Sequence, residues 1–352
     1  MFLEKEGKLI YSYDGETICI EAWGKDALRV RATKNRSFTG RDWALEAKDA
    51  HAGEVEIFED PSAKGGAFAN MYEGTDTSYG KITNGKLHAV IDSGSVITFY
   101  HEDGRVLLKE HFRRLRDEES MPLNIMGREY SNGVGDNFRI VARFVARKGE
   151  KIFGMGQYQQ HELDLKGCML ELAQRNSQVS VPFYLSSIGY GFLWNNPGVG
   201  QVMFANNGTE WVTESGKEID YLVIAGDTPA KIEENYMTLT GKPPMMPEYG
   251  MGFWQCKLRY WNQEQLLSVA RKYKELGVPL DVIVVDFFHW TKQGEFKFDP
   301  KYWPDVPGMC RELKEMGIQV VVSVWPTVDI YSENFEEMKE KGYLVRTEHG
   351  VP

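Results

Sequence analysis

Apolar and polar residues alternate along most of the first 228 positions, and little helical periodicity interrupts them. Alternation with a period of two predicts strands that bury one face. Turn residues such as Asn84-Gly85 and Asp103-Gly104 separate the runs at short intervals, which favours an antiparallel sandwich over a parallel sheet. The region 46–62 is acidic, weakly patterned and predicted to be a loop. The strongest predicted strands are 17–22, 28–33, 87–92, 96–100, 138–145, 179–185, 190–194 and 221–225.

The pattern changes between Tyr249 and Pro326, where unbroken apolar runs alternate with helical periodicity. Strands are predicted at 249–256, 280–288 and 319–326, and helices at 262–276 and 306–316. Runs such as Val282-Ile-Val-Val285 are typical of strands buried on both faces of a parallel sheet. Strand, helix, strand, helix, strand is the βαβ arrangement, in which binding residues collect at the carboxyl ends of the strands.

A proline-stiffened segment separates these two patterns. Residues 230–239 form a predicted helix, and Gly241-Lys-Pro-Pro-Met-Met-Pro247 follows it. We therefore predict an N-terminal domain at 1–240, a junction at 241–247 and the start of a second domain at 248–352.

Charge and composition exclude several classes of function. The net charge is −10, and no long basic block occurs, so nucleic acid is not an expected partner. No apolar run reaches membrane-spanning length, and residues 1–8 carry charges where a signal peptide would need an apolar run, so we expect no membrane contact and a cytoplasmic protein. Four scattered cysteines and seven dispersed histidines predict neither a metal site nor a cofactor. A homo-oligomer is compatible with the sequence.

The stretch from Tyr249 to Pro352 has room for only about three β/α units, whereas a closed barrel needs eight strands and roughly 250 residues. Either it forms a small open sheet, or the sequence is the front part of a longer enzyme. We expect the second.

Several motifs in this region, taken in order, carry a resemblance to a known family. Gly252-Phe-Trp-Gln255, Pro279 to Trp290, Phe298-Asp-Pro300, Trp303-Pro-Asp305, Leu313 to Gly317 and Ser323-Val-Trp-Pro326 resemble glycoside hydrolase family 31. Its members include α-glucosidases and α-xylosidases, and the Gln255 and Trp325-Pro326 variants most resemble the α-xylosidases. The resemblance implies a galactose-mutarotase-like β-sandwich followed by a (β/α)8 TIM barrel, of which this chain contains about three β/α units.

The resemblance also implies a retaining hydrolase that releases terminal α-linked xylose or glucose from oligosaccharides. Such enzymes use one carboxylate as nucleophile and a second as acid and base. In the family both lie on later parts of the barrel, so no catalytic residue is expected within this chain, which alone is expected to be inactive. Asp286 matches the family aspartate that binds hydroxyls of the sugar being cleaved.

The other candidate substrate-binding residues are Phe287, Phe288, His289, Trp325, Gln157 and Gln255. Phe287 and Phe288 would point in opposite directions along a strand, so one is expected to face the site and the other to pack. His289 fits substrate contact or loop packing equally well. Gln157 follows Gly154-Met-Gly156, which resembles the family's glycine loop, and it could equally be a loop amide with internal partners. Cys256 is predicted to be a buried thiol.

Other assignments remain open at this stage. Asp286 could be an N-cap or salt-bridge residue, and Trp325 a core residue at the barrel end. The whole chain could be a noncatalytic carbohydrate-binding protein or fragment, or an unrelated α/β enzyme. Asp281 lies at a strand start, which is the wrong end of the strand for chemistry. Asp299 and Asp305 lie beside prolines and are predicted to be turn and cap residues.

Overall fold

The computed structural model describes residues 1–61, 77–111, 113–115 and 123–346, and it divides into two compact units, Met1–Pro243 and Pro244–Pro352. Each unit has its own buried apolar clusters. No helix in the described ranges is long and apolar enough to cross a membrane.

Antiparallel strands make up nearly all of the first unit. In chain order they are β1 (Phe2–Lys5), β2 (Lys8–Tyr13), β3 (Glu16–Trp23), β4 (Ala27–Thr33), β5 (Ala50–His51), β6 (Glu54–Phe58), β7 (Tyr79–Asn84), β8 (Leu87–Asp92), β9 (Ile97–His101), β10 (Val106–Lys109), β11 (Arg113–Leu115), β12 (Leu123–Ile125), β13 (Arg128–Asn132), β14 (Phe138–Phe144), β15 (Ile152–Gln157), β16 (Met169–Leu172), β17 (Val179–Ser186), β18 (Tyr190–Trp194), β19 (Gly200–Phe204), β20 (Thr209–Gly216) and β21 (Ile219–Ala225). The strands predicted from the alternating pattern therefore exist, with ends that differ by at most two residues.

The larger strands form three sheets. One has nine strands in the order β1-β2-β3-β4-β21-β18-β17-β15, with β5 paired to β3. The other two have five strands each, β10-β9-β8-β7-β6 and β13-β14-β20-β19-β16. The main core includes stacked aromatic rings from the first and third of these sheets, such as Phe192 and Trp211 at 5.1 Å. These sheets confirm the predicted antiparallel β-sandwich.

Helix α1 (Pro229–Thr240) covers an apolar patch of the nine-stranded sheet. It begins where predicted because the Thr228 hydroxyl accepts a hydrogen bond from the Lys231 amide (3.2 Å) and Pro229 occupies the first turn. Ile232 and Leu239 pack against the sheet.

The predicted loop at 46–62 is wrong in part. It contains a 3-10 turn, Ala47–Asp49, and strands β5 and β6. Strand β6 pairs with β7 although most of its residues are exposed. Edge pairing of this kind uses backbone hydrogen bonds and leaves a weak hydrophobic pattern, so the sequence gives little sign of it.

Three parallel strands and three helices form the second unit. The strands are β22 (Trp254–Cys256), β23 (Val282–Val285) and β24 (Gln319–Val322), and the helices are α2 (Gln263–Glu275), α3 (Val306–Glu315) and α4 (Phe335–Glu340). Strand β23 lies in the middle. The parallel sheet with helical crossovers confirms the predicted start of a TIM barrel.

The boundaries of helices α2 and α3 differ from the predicted ones by at most one residue at each end. The side chains of Asn262 and Asp305 accept hydrogen bonds from Gln265 and Gly308 amides, both at 2.9 Å, and so cap the two N-termini. Gly277 follows α2 with φ +66°, the left-handed conformation that glycine adopts without strain.

The predicted strands of this unit are longer than the observed ones. The first was predicted to begin too early, and the second and third were predicted to end too late. Residues Glu248–Met251 form a 3-10 turn instead of strand, in which the Gly250 amide donates to the Pro247 carbonyl. Strand β23 stops at Val285, and β24 is half-exposed rather than buried on both faces. Pairing partners set strand ends, and within the described residues β24 pairs on one side only.

Candidate functional site

The carboxyl ends of the three parallel strands lie at one edge of the sheet. The register places Cys256 beside Val284, and Val285 beside Val322. The residues that follow these strands therefore emerge together, and among them are Asp286 and Trp325. This is the edge at which barrel enzymes place their binding residues.

Asp286 is half-buried directly after β23. Its Oδ1 atom accepts a hydrogen bond from the Phe287 amide (2.9 Å), and its Oδ2 atom lies 4.0 Å from the Cys256 sulfur. Among the described residues, Asp286 has no Lys, Arg or His partner within salt-bridge distance. The carboxylate thus keeps acceptor capacity for a ligand, since an ionised carboxylate can accept about four hydrogen bonds.

Three other acids of the second unit have local backbone roles instead. Asp281 accepts a hydrogen bond from the Phe253 amide (3.0 Å), and Asp299 accepts one from the Lys301 amide (2.9 Å). Asp305 caps α3 as described above. The predicted turn and cap roles of Asp299 and Asp305 agree with these contacts.

Aromatic rings form a wall beside Asp286. Phe287 and Trp325 stack with ring centroids 5.2 Å apart and planes inclined by 11°. Phe288 lies 4.5 Å from Phe287 and 5.8 Å from Trp325, measured between centroids. Strand alternation does not apply to these two residues because β23 ends at Val285, and both phenylalanines contact the same tryptophan.

His289 is buried, with its ring against those of Trp290 and Phe298. Its Nδ1 atom lies 3.2 Å from the carbonyl oxygen of Asp286, and its own carbonyl accepts a hydrogen bond from Asp299. Burial lowers the pKa of the imidazole below its usual range, so the neutral ring, with a proton on Nδ1, fits this contact. These contacts brace the backbone at Asp286. A direct role in substrate contact remains a prediction.

The two predicted glutamines lie in different surroundings. On β22, the side-chain oxygen of Gln255 accepts a hydrogen bond from the Tyr273 hydroxyl (2.7 Å). The side-chain nitrogen of Gln255 donates to the Cys256 carbonyl (3.2 Å). Gln157 is exposed in the first unit, at the end of β15. The preceding glycine segment is part of a strand rather than a free loop, with φ of +117° at Gly154 and +93° at Gly156 and a register shift between them.

Two further residues lie at this edge, in surroundings that the sequence did not predict. Cys256 is exposed, not buried as predicted, because β22 ends there and the chain opens toward solvent. Arg259 lies with its guanidinium carbon 3.7 Å from the ring centroid of Trp261 and 5.4 Å from that of Phe288. Their positions, at the end of the first parallel strand and three residues beyond it, were the available signal. In the described part of the chain, no group of three or more His, Cys, Asp or Glu residues could hold a metal ion.

Comparison with known families matches both units. Residues 17–202 match the glycosyl hydrolase 31 N-terminal galactose mutarotase-like domain, and residues 243–352 match the glycosyl hydrolases family 31 TIM-barrel domain. The match over residues 243–352 includes all the candidate site residues except Gln157, which lies in the first unit.

Individual relatives agree with these domain matches. An uncharacterised family 31 glucosidase of Pseudescherichia vulneris is 42% identical over 99% of this chain, and an α-xylosidase of Saccharolobus solfataricus is 36% identical over 59% of it. The crystal structure of a GH31 α-xylosidase from a soil metagenome, complexed with xylose, covers 100% of the chain at 46% identity with a TM-score of 0.87. The chain spans 65%, 30% and 51% of the lengths of these three proteins. With both domains matched in order, the chain belongs to glycoside hydrolase family 31.

Proposed function

We propose that the enzyme to which this chain belongs is a retaining α-glycoside hydrolase that releases terminal α-linked xylose from oligosaccharides. The observation that carries this proposal is the carboxylate of Asp286, which lacks a cationic partner among the described residues and lies beside the stacked rings of Phe287 and Trp325. A carboxylate can accept two sugar hydroxyls, and aromatic rings pack against the C–H face of a pyranose.

The names of the relatives support xylose as the first choice of sugar. The Saccharolobus and soil-metagenome proteins are named α-xylosidases, and the latter was solved with xylose bound. Glucose is the second candidate, since the Pseudescherichia relative is named a glucosidase. Glucose differs from xylose by one CH₂OH group, a difference for which a steric filter is worth only about 1–3 kcal/mol.

In the proposed mechanism, one carboxylate attacks the anomeric carbon while a second protonates the leaving oxygen. The second then removes a proton from water, which displaces the enzyme carboxylate with overall retention. By the family pattern we place both carboxylates outside residues 1–352. Asp286 holds the sugar, Phe287 and Trp325 form its wall, and His289 and Gln255 support the backbone around them. Phe288 is assigned to the leaving-group side, and the role of Gln157 stays a prediction from the sequence. No cofactor takes part in this mechanism.

The first experiment compares hydrolysis of aryl α-xyloside and aryl α-glucoside by residues 1–352 and by the full-length enzyme. We expect turnover only from the full-length protein, with α-xylose as the first product seen by NMR. Turnover by residues 1–352 would place the nucleophile within them and overturn the assignment. Saturable sugar binding without turnover by either protein would instead favour a noncatalytic carbohydrate-binding protein.

The substitution Asp286→Ala tests the binding role in the full-length enzyme. Charge-assisted hydrogen bonds contribute about 1.5–3 kcal/mol each, so losing two should reduce kcat/KM for aryl α-xyloside by at least about 100-fold. Asp299→Asn is the matched control, because asparagine can still accept the hydrogen bond from the Lys301 amide. Equal activity of Asp286→Ala and the control, with melting temperatures unchanged, would remove Asp286 from the site.

A further inference from the structure

Trp43 is an exposed aromatic residue of the first unit, on the segment that follows β4. It is 45% exposed, and its backbone has φ +55°, a left-handed conformation that a bulky residue adopts only when its surroundings enforce it. The guanidinium carbon of Arg41 lies 5.4 Å from the centroid of its ring. Strained backbone of this kind collects at functional sites, so the surroundings of Trp43 are a candidate binding site.

Buried polar side chains hold the backbone around Trp43. Arg29, whose side chain is fully buried, pairs with the Asp42 carboxylate at 2.8 Å. The side-chain nitrogen of Asn195 donates to the Asp42 carbonyl (3.1 Å), and its side-chain oxygen accepts a hydrogen bond from the Ala44 amide (3.3 Å). Because Arg29 lies on β4 and Asn195 directly follows β18, these contacts fix the segment to the nine-stranded sheet and leave the Trp43 ring at the surface.

Two cavities open beside the ring, and Trp43 lines both. One, of about 570 Å³, has polar side chains such as Asn137 in its wall, and the other, of about 690 Å³, has mainly apolar side chains such as Pro182 and Leu193. These volumes suit a small ligand, since ligand pockets typically enclose about 300–1,000 Å³. A ring shared by a polar and an apolar cavity suits a pyranose, which has apolar C–H faces and hydroxyls at its edge.

The charged side chains that line the polar cavity are already paired, apart from Arg41. Among the described residues, Arg41 has no Asp or Glu partner within 4.0 Å. A lining of paired charges favours a neutral ligand, and the N–H groups of Arg41 remain available as donors to hydroxyl oxygens. The paired groups are Glu218 with Thr39, Lys217 with Asp136, and Asp220 with Arg29.

We propose that Trp43 and Arg41 form a second sugar-binding site, which holds a neutral pyranose of an oligosaccharide on the first unit. The Trp43 ring packs on the C–H face of the pyranose, and the Arg41 guanidinium donates hydrogen bonds to its hydroxyls. Two binding sites on one protein add affinity for a ligand long enough to occupy both. This inference goes beyond the proposed function, since it does not depend on which sugar is released.

The test uses the full-length enzyme labelled with 5-fluorotryptophan and observed by ¹⁹F NMR. Trp43→Phe removes one resonance from the spectrum and so identifies the resonance of Trp43. We expect this resonance to shift when cellotetraose or maltotetraose is added to about 10 mM, with a dissociation constant of order 1 mM for at least one of them. Arg41→Ala should raise that dissociation constant about tenfold and leave kcat/KM for aryl α-xyloside within about twofold of the wild-type value.

Arg311→Ala is the matched control, since Arg311 is exposed on α3 and has no acidic partner within 4.0 Å among the described residues. It should leave the titration of the Trp43 resonance unchanged. A Trp43 resonance that moves with neither sugar, or equal sugar binding by Arg41→Ala and the control, would overturn the proposal. A Trp43 resonance that is insensitive to exchange of H₂O for D₂O would also overturn it, because the ring would then be covered by another part of the enzyme.

Discussion

Asp286 and Cys256 are neighbours only because two parallel strands end side by side. Thirty positions separate them in the chain, yet the Cys256 sulfur lies 4.0 Å from the Asp286 carboxylate. Although Cys256 is exposed, partial desolvation of its sulfur, and then the negative charge of Asp286, raise the pKa of the thiol. The thiolate is therefore scarce at neutral pH, which argues against a nucleophilic role for this cysteine.

This contact leads to a prediction about thiol reactivity. Asp286→Asn removes the nearby charge, so Cys256 should react with iodoacetamide severalfold faster at pH 8 than in the wild type. Mass spectrometry of the Cys256 and Cys310 peptides gives both rates from one sample, with exposed Cys310 as the internal reference. An unchanged ratio of the two rates would mean that the carboxylate and the thiol do not interact in solution.

Strands from different sheets of the first unit meet at a buried ionic group. Arg128, at the start of β13, contacts both oxygens of Glu16 on β3, at 3.0 and 3.1 Å, and also binds Glu110. It further donates to the carbonyl oxygen and the hydroxyl of Ser95 (2.8 and 2.6 Å). Arg128, Glu16 and Glu110 are all almost fully buried. This group therefore fixes the position of β13 relative to β3.

Removing the cation from this group should be costly. Arg128→Met leaves two buried carboxylates without their partner, and we expect the free energy of unfolding to fall by about 3–5 kcal/mol. Arg139→Met is the control, because the Arg139–Glu214 pair is exposed and such pairs contribute about 1 kcal/mol or less.

Urea unfolding of both variants measures the difference. Adding Glu16→Gln and Glu110→Gln to Arg128→Met should restore part of the lost stability. If the single Arg128→Met variant proved as stable as the Arg139→Met control, the buried group would have no structural role.

On the scale of the whole molecule, the two units differ in how completely their cores are enclosed. The clusters of the first unit are formed entirely by residues before Gly241. Among the described residues, the second unit has one cluster around β23, while Val322, Val324 and Trp325 on and after β24 are exposed. Three parallel strands are described here, whereas a closed barrel has eight.

The first unit should accordingly fold without the second. We expect the protein Met1–Pro243 to melt in one cooperative transition and to give a strong near-UV circular dichroism signal from the stacked Trp194 and Trp211 rings. Calorimetry and circular dichroism check this directly. A broad transition without near-UV signal would show that the sandwich needs the residues that follow it.

The local pattern of apolar and polar residues was enough to predict most strands of the sandwich and the helices α2 and α3. Alternation predicted the strands of the sandwich, helical periodicity predicted α2 and α3, and cap residues such as Asn262 and Gly277 marked their ends. These features depend on contacts within a few residues, or on which face of an element is apolar. The motifs around Asp286 were sufficient to identify the family, because their order along the chain is specific.

Only the tertiary structure decided how residues distant in sequence meet. The ends of β23 and β24 depend on pairing partners, so the sequence could not show that Phe287 and Phe288 lie beyond the strand and share a contact with Trp325. The exposure of Cys256 and the stacking of Arg259 on Trp261 beside Phe288 likewise depend on where neighbouring strands stop. Hydrophobic periodicity records which face of an element is buried, whereas the distance between two side chains on separate elements is set by packing.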